Sequence, residues 1–247
     1  MTGPRLEIVR MNEFSSIDAT LFPFSLPIIQ NLKEIYFPTQ VTFFSGENGT
    51  GKSTILEAIA CHAGFGSEGG SKNFSFKTSS DDVYSGVQQL ANHLTLSWNQ
   101  KPKDGYFFRA ESFYNVVNYL DSLGSDAYRA YGGKSLHHQS HGESFFSFFN
   151  NRIRRGGFFI LDEPEAALSP QKQLALLVIM KDLCRDPNTQ FIIASHSPIL
   201  LAYPQATIYS CNEKELTRIT YEQTDHYQIT RQFLNNPELY LKNLFDA

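Results

Sequence analysis

The stretch Gly46-Glu47-Asn48-Gly49-Thr50-Gly51-Lys52-Ser53 fits the pattern G-x-x-x-x-G-K-[ST]. The apolar run Val41-Thr42-Phe43-Phe44 leads into it, and Thr54-Ile55-Leu56-Glu57-Ala58-Ile59-Ala60 leads out with the composition of a helix. A strand, a glycine-rich loop and a helix in that order are the context of a true phosphate loop. The glycines let the backbone curl so that its N–H groups converge on phosphate oxygens, and the helix N-terminus adds its dipole. The pattern makes Gly46, Asn48, Gly49, Gly51, Lys52, Ser53 and Thr54 the candidate phosphate contacts. Lys52 has the reach for the β- and γ-phosphates of a nucleoside triphosphate, and Ser53 carries a hydroxyl suited to Mg²⁺.

Composition narrows the rest. The chain has 247 residues, enough for one large domain or two small ones, and a formal net charge of −4. No global basic field marks a nucleic-acid or anionic-membrane binder. The local cluster Arg152, Arg154 and Arg155 reads as a solvated helix end. The three cysteines, Cys61, Cys184 and Cys211, are far apart and odd in number, as expected of reduced thiols in a cytoplasmic protein. No apolar stretch is long enough to span a membrane, and the early charges Arg5, Glu7 and Arg10 interrupt any signal-peptide core.

Along the chain, Leu6–Val9 reads as a short strand, and residues 21–40 as another strand or two. Residues 64–82, rich in Gly, Ser and Lys, read as a mobile loop, and Tyr84–Ala91 as a short helix. Leu94–Trp98 and Gly105–Arg109, around a connection containing Pro102, read as an antiparallel hairpin. Phe113–Leu123 and Glu143–Arg154 read as helices. Gly157–Leu161 and Gln190–Ala194 are continuous apolar runs, the mark of parallel strands buried on both faces. Pro170–Cys184 reads as a helix between them. Thr207–Ser210 and Leu216–Tyr221 close the sheet, and 226–243 reads as helical pieces around Pro237.

Phe158-Phe159-Ile160-Leu161-Asp162-Glu163-Pro164 is an apolar strand ending in two acids, the Walker B pattern. At the carboxyl end of a strand, where open α/β sheets bind ligands, Asp162 is placed for the Mg²⁺ water shell. Glu163 beside it suits a base that polarises the attacking water. Upstream, Ser140 and Glu143 have capping-box spacing in Gln139-Ser140-His141-Gly142-Glu143, so Ser140 is expected to cap a helix. That helix N-terminus, with the Gly142 N–H, is a second candidate anion site. His196, at the end of Phe191–Ala194, is a candidate hydrogen-bond partner of the γ-phosphate and the catalytic water. After Phe108 stand Arg109-Ala110-Glu111-Ser112: Glu111 is a candidate contact to the metal's water and Arg109 faces either phosphate or an ion pair. Phe22, Phe24, Tyr36 and Phe37 are the candidate aromatics for stacking on a base.

The order of P-loop, Ser-x-Gly-Glu, Leu-Asp-Glu-Pro and a lone histidine resembles that of ATP-binding-cassette (ABC) ATPases, in their SMC- and RecF-like branch. Ser140, Gly142 and Glu143 match that branch's signature; Gln139 and His141 depart from it. Glu165-Ala166-Ala167-Leu168-Ser169-Pro170 resembles its D-loop, and Ala194-Ser195-His196-Ser197 its switch-histidine segment. Nearly the whole chain resembles a small stand-alone ABC-type AAA family ATPase of prokaryotes. The resemblance implies that Ser140 and Gly142 bind the γ-phosphate of ATP held by a second subunit. A Q-loop glutamine is missing at Arg109–Ser112.

The expected fold is α/β: a P-loop NTPase resembling an ABC-ATPase head, with an antiparallel β subdomain and a small helical lobe at roughly 112–156. Residues 1–247 are expected to form one such domain. The expected function is ATP hydrolysis with Mg²⁺ in an ATP-dependent homodimer that switches a partner, an unidentified protein or DNA, with DNA repair and phage defence as candidate processes. No sustained heptads announce an SMC-like arm. The alternative is the nucleotide-binding subunit of an ABC membrane transporter; the Ser-x-Gly-Glu segment and the missing glutamine favour the first reading. A non-hydrolysing scaffold is disfavoured by the Asp162, Glu163 and His196 set.

Overall fold

The computed structural model describes residues 5–13, 18–67, 69–71, 74–75, 82–112, 146, 149, 153–212 and 214–246. Among them, the strands form two sheets. Strands β1 (Leu6–Met11) and β2 (Glu34–Tyr36) pair antiparallel, with the short helix α1 (Pro27–Gln30) between them in sequence. Strand β3 (Val41–Ser45) enters the glycine-rich loop and helix α2 (Lys52–His62) leaves it. Two-residue strands β4 (Gly70–Ser71) and β5 (Phe74–Ser75) precede helix α3 (Asp82–Asn92). Strands β6 (Leu94–Trp98), β7 (Gly105–Arg109) and β8 (Phe158–Asp162) follow, then helix α4 (Pro170–Leu183) and strand β9 (Gln190–Ala194). The chain continues through α5 (Pro198–Leu201), β10 (Thr207–Cys211), β11 (Leu216–Ile219), α6 (Asp225–Asn235) and α7 (Pro237–Phe245).

The larger sheet has the order β11-β10-β3-β9-β8-β7-β4-β5 and the smaller one β2-β1-β6. The central strands β10, β3, β9, β8 and β7 run parallel. Their side chains alternate between two cores. Phe44, Phe107, Phe158, Ile160 and Ile192 face α2, α3 and the smaller sheet, through Ile55, Leu56, Ile59, Leu90, Leu6 and Ile35. Phe43, Phe108, Phe159, Leu161, Phe191 and Ile193 face α4 and α5, through Leu176, Met180, Leu200 and Leu201. Both faces are covered, which is why these strands are apolar throughout and not alternating.

Two sequence expectations are corrected. Leu94–Trp98 and Gly105–Arg109 are not a hairpin: β6 pairs antiparallel with β1, whereas β7 pairs parallel with β8. The connection between them crosses from one sheet to the other. The segment 64–82 is not all loop, because β4 and β5 pair with each other and Gly70 pairs with Phe107 at the sheet edge. Residues 21–40 hold one strand, the smaller of the two numbers expected, together with α1. Phe113–Leu123 and most of the expected helical lobe lie outside the described residues; Phe146 and Phe149 are helical.

The smaller sheet is tied to the larger one by buried polar groups. Gln190, fully buried at the start of β9, accepts from Leu6 N–H at 2.8 Å and donates to Leu6 C=O at 2.9 Å. Its amide thus acts as a strand-like partner for the Leu6 N–H and C=O. Arg5 reaches across to the carbonyl of Asn188 at 2.6 Å and to that of Gly156. Gln190→Leu keeps the volume but strands both Leu6 groups. It is expected to destabilise the protein by roughly 1–3 kcal/mol for each group left unpaired. A urea unfolding midpoint unchanged from wild type, at equal slope, would show that the two sheets are joined some other way.

Candidate functional site

Parallel register brings the ends of three adjacent strands together. Ala194 on β9 lies opposite Phe44 on β3 and opposite Asp162 on β8. Glu163 N–H donates to Ala194 C=O at 3.0 Å, and Ser195 N–H to Phe44 C=O at 3.0 Å. The glycine-rich loop, the Asp162–Glu163 pair and His196 therefore leave the sheet side by side, at its carboxyl edge.

The loop is held in a conformation that side chains would forbid. Gly46 has φ 148°, and a Cβ there would sit 2.2 Å from the Cys211 carbonyl oxygen. Gly51, at φ 94°, begins α2 with no side-chain cap, so the first N–H groups of the helix stay open toward the loop. Such groups form an anion cradle. Lys52 is 3% exposed and folds back into the cradle, donating to the carbonyls of Gly46 and Glu47 at 2.8 Å each. Burial lowers its pKa, against the opposing influence of Cys211, Glu163, Asp162 and Glu47. The cleft beside it measures about 160 Å³ and is lined by Phe22, Leu26, Asn48, Gly49, Gly51, Lys52, Ser53, Thr54 and Glu163. A larger cavity, about 620 Å³, lies at the other end of β3 near Lys181 and Tyr203 and holds none of these residues.

Ser53 Oγ donates to Asp162 Oδ1 at 2.9 Å. Burial pushes Asp162 up to about 6, although Arg109, Ser53 and Lys52 act to lower it. An oxygen pair of this kind, with a carboxylate whose charge is disfavoured by burial, is suited to a hard divalent cation, which would restore the charged form. Arg109, at the end of β7, lies 3.7 Å from Asp162, 3.2 Å from Glu57 and 3.5 Å from Glu111. Of its two sequence readings, phosphate contact or ion pair, the structure places it in ion pairs. Glu111 is exposed on the outer side of that cluster.

Glu163 sits at φ 50°, ψ 52°, a left-handed conformation unusual for a residue with a side chain. Such strain, of order 1–3 kcal/mol, collects at functional sites. Its Oε1 is 3.2 Å from His196 Nε2. Burial lowers the His196 pKa and Lys52 adds to this, while Glu163 opposes it. Glu165 fixes the histidine's backbone: its Oε1 accepts from the His196 N–H at 2.5 Å and from Ser195 Oγ at 3.0 Å.

Of the four candidate aromatics, Phe24 and Phe37 are core residues and Tyr36 hydrogen-bonds Glu34 at the edge of the smaller sheet. Phe22, 45% exposed, lines the cleft. Ser140, Gly142 and Glu143 lie outside the described residues, as do Gln139 and His141. Sequence reasoning missed His226, whose Nε2 is 3.2 Å from His196 Nδ1. It also missed the grip of Glu165 on the switch segment, although both residues lie within the quoted stretches.

The fold is that of a P-loop NTPase. Residues 23–236 match the AAA_23 family, described as AAA domain, and the chain belongs to that family. No match was found among curated proteins. Among solved structures, the SMC head domain from Thermotoga maritima is 15% identical with TM-score 0.44, over 87% of this chain and 98% of that one. CbiO1 from Clostridium perfringens, part of the ABC transporter complex cbiONQ, is 15% identical with TM-score 0.45, over 98% and 100%. An SMC head bound to the C-winged helix domain of ScpA is 12% identical with TM-score 0.47, over 89% and 99%. All three likenesses are loose. Among the described residues, no helix is long and apolar enough to cross a membrane.

Lys52→Ala removes the buried cation from the cradle. Calorimetry is expected to show ATP affinity lost in this variant, and undiminished affinity would contradict the assignment of the loop.

Proposed function

We propose that the protein binds ATP with Mg²⁺ and hydrolyses it to ADP and phosphate. The observation that carries this reading is the meeting of Lys52, Ser53, Asp162, Glu163 and His196 at the ends of three neighbouring parallel strands. The loop N–H groups receive the phosphates. Lys52 exchanges its two backbone carbonyls for phosphate oxygens, so the triphosphate replaces hydrogen bonds that the apo loop already makes. Ser53 and Asp162 would hold Mg²⁺, with Glu111 as the proposed contact to its water, and the cation would supply charge neutralisation on the phosphates. Glu163 accepts the proton of the attacking water as its oxygen bonds to the γ-phosphorus and the bond to the β-phosphate oxygen breaks. His196 Nε2–H donates to the γ-phosphate oxygens, where negative charge rearranges. Phe22, at the mouth of the cleft, is the proposed contact for the base.

The reading extends to assembly. Ser140, Gly142 and Glu143 are proposed to complete the site of a second subunit, so that two ATP molecules join two chains. The basis is the resemblance of the Ser-x-Gly-Glu segment and of Glu165–Pro170 to the ABC signature and D-loop. Hydrolysis opens the dimer, and this motion is proposed to switch a partner protein or DNA.

Glu163→Gln keeps hydrogen-bonding capacity while removing the base. With ATP and Mg²⁺ this variant is expected to run as a dimer in light scattering, and without nucleotide as a monomer, because a ligand bound only by the dimer shifts the equilibrium by mass action. Adding Ser140→Arg is expected to return it to a monomer that still binds ATP. One unchanging mass in all conditions contradicts the ATP-gated dimer.

A further inference from the structure

The switch histidine has a second partner that no motif announces. His196 Nδ1 lies 3.2 Å from His226 Nε2, and the rings meet edge to face with centroids 4.9 Å apart. His226 stands in the first turn of α6, an element otherwise remote from the glycine-rich loop. The start of that helix is built rather than loosely placed. Thr224, 1% exposed, caps it by accepting from Tyr227 N–H at 3.4 Å and donates to Tyr221 C=O at 2.8 Å. The Tyr221 and Tyr227 rings pack at 4.5 Å, and Gln223 Oε1 accepts the Thr220 N–H at 2.8 Å just before.

The three side chains in line restrict one another's protons. A carboxylate only accepts, so the His196 nitrogen facing Glu163 must carry hydrogen. In the neutral ring Nδ1 is then an acceptor. The nitrogen facing it, His226 Nε2, must therefore be the donor. A proton on His196 Nδ1 would set two N–H groups head to head, or leave Nε2 bare against the Glu163 carboxylate.

We infer that His226 is a positioning residue: its Nε2–H fixes the ring orientation and the Nε2–H tautomer of His196, leaving the His196 proton aimed at Glu163 and the site of the γ-phosphate. It acts only through His196, and this inference rests on the hydrolytic reading above. The hydrogen bond at one ring nitrogen sets which nitrogen carries the proton, and at metal-bound histidines the loss of such a partner costs about 10–100-fold in affinity or activity. The consequence is that α6 is coupled to the chemical step. Movement of α6 away from His196 would release the ring without touching the phosphate cradle.

The test uses the full chain and two readouts. With ¹⁵N-histidine labelling and no nucleotide, long-range proton–nitrogen correlation is expected to show His196 Nδ1 unprotonated and Nε2 protonated. In His226→Leu that preference is expected to weaken. In His226→Gln, whose amide N–H can replace the donated hydrogen, it is expected to return. Steady-state ATP hydrolysis is expected to fall by about tenfold in kcat for His226→Leu at unchanged KM, and to recover in His226→Gln. A wild-type His196 found with its proton on Nδ1 overturns the inference, even where the leucine variant does not fold. So does a folded His226→Leu with unaltered His196 tautomer or unaltered kcat. A wild type that binds ATP but never hydrolyses it overturns the proposed function instead; the nitrogen shifts then decide the His226 role by themselves.

Discussion

The site depends on the register of three parallel strands. Phe44, Ala194 and Asp162 lie abreast on β3, β9 and β8, so each strand's last hydrogen bond delivers its loop to the same point in space. A one-residue slip would send the residues of each core into the other and carry Asp162 off the strand end. The two cores enforce that register, because Phe43, Phe159 and Phe191 pack on α4 while Phe44, Phe158 and Ile192 pack on the opposite layer. The placement of these strand ends is therefore a by-product of burying these side chains.

Electrostatics at the site are poised for a ligand that is charged. Lys52 and Asp162 are both buried, and burial opposes the charge on each. Lys52 is satisfied by two carbonyls and Asp162 by the Ser53 hydroxyl and the nearby Arg109 guanidinium. These are interim partners. A polyanion with a divalent cation would offer both groups stronger ones, since hydrogen bonds between ionised partners exceed those to neutral groups. Arg109 stabilises the carboxylates Asp162 and Glu57 from the side of β7, in the segment where a Q-loop would be expected.

Much of this was legible in the sequence, and the reasons differ by element. The phosphate loop and the Asp162–Glu163 strand end are local: spacing alone fixes their geometry. The false hairpin at 94–109 had its correction in the same residues. Leu94, Thr95 and Leu96 alternate buried and exposed, as befits a sheet covered on one face, whereas Gly105 to Phe108 are buried throughout. Strands with such different patterns belong to different sheets. His226 was not legible, because its partner is 30 residues away in sequence and a lone histidine in a polar helix start has no distinguishing pattern. The choice of Phe22 over Phe24, Tyr36 and Phe37 likewise required the packing of β1, β2 and α1.

The central claim is that the cradle around Lys52 exchanges backbone carbonyls for the phosphates of ATP. A structure determined with a non-hydrolysable ATP analogue and Mg²⁺ tests it most directly. The account predicts Lys52 Nζ moved from Gly46 and Glu47 onto the β- and γ-phosphates, with the cation beside Ser53 and Asp162 and the γ-phosphate facing Glu163 and His196. A Lys52 still bonded to the two carbonyls, with the nucleotide seated elsewhere, would contradict it.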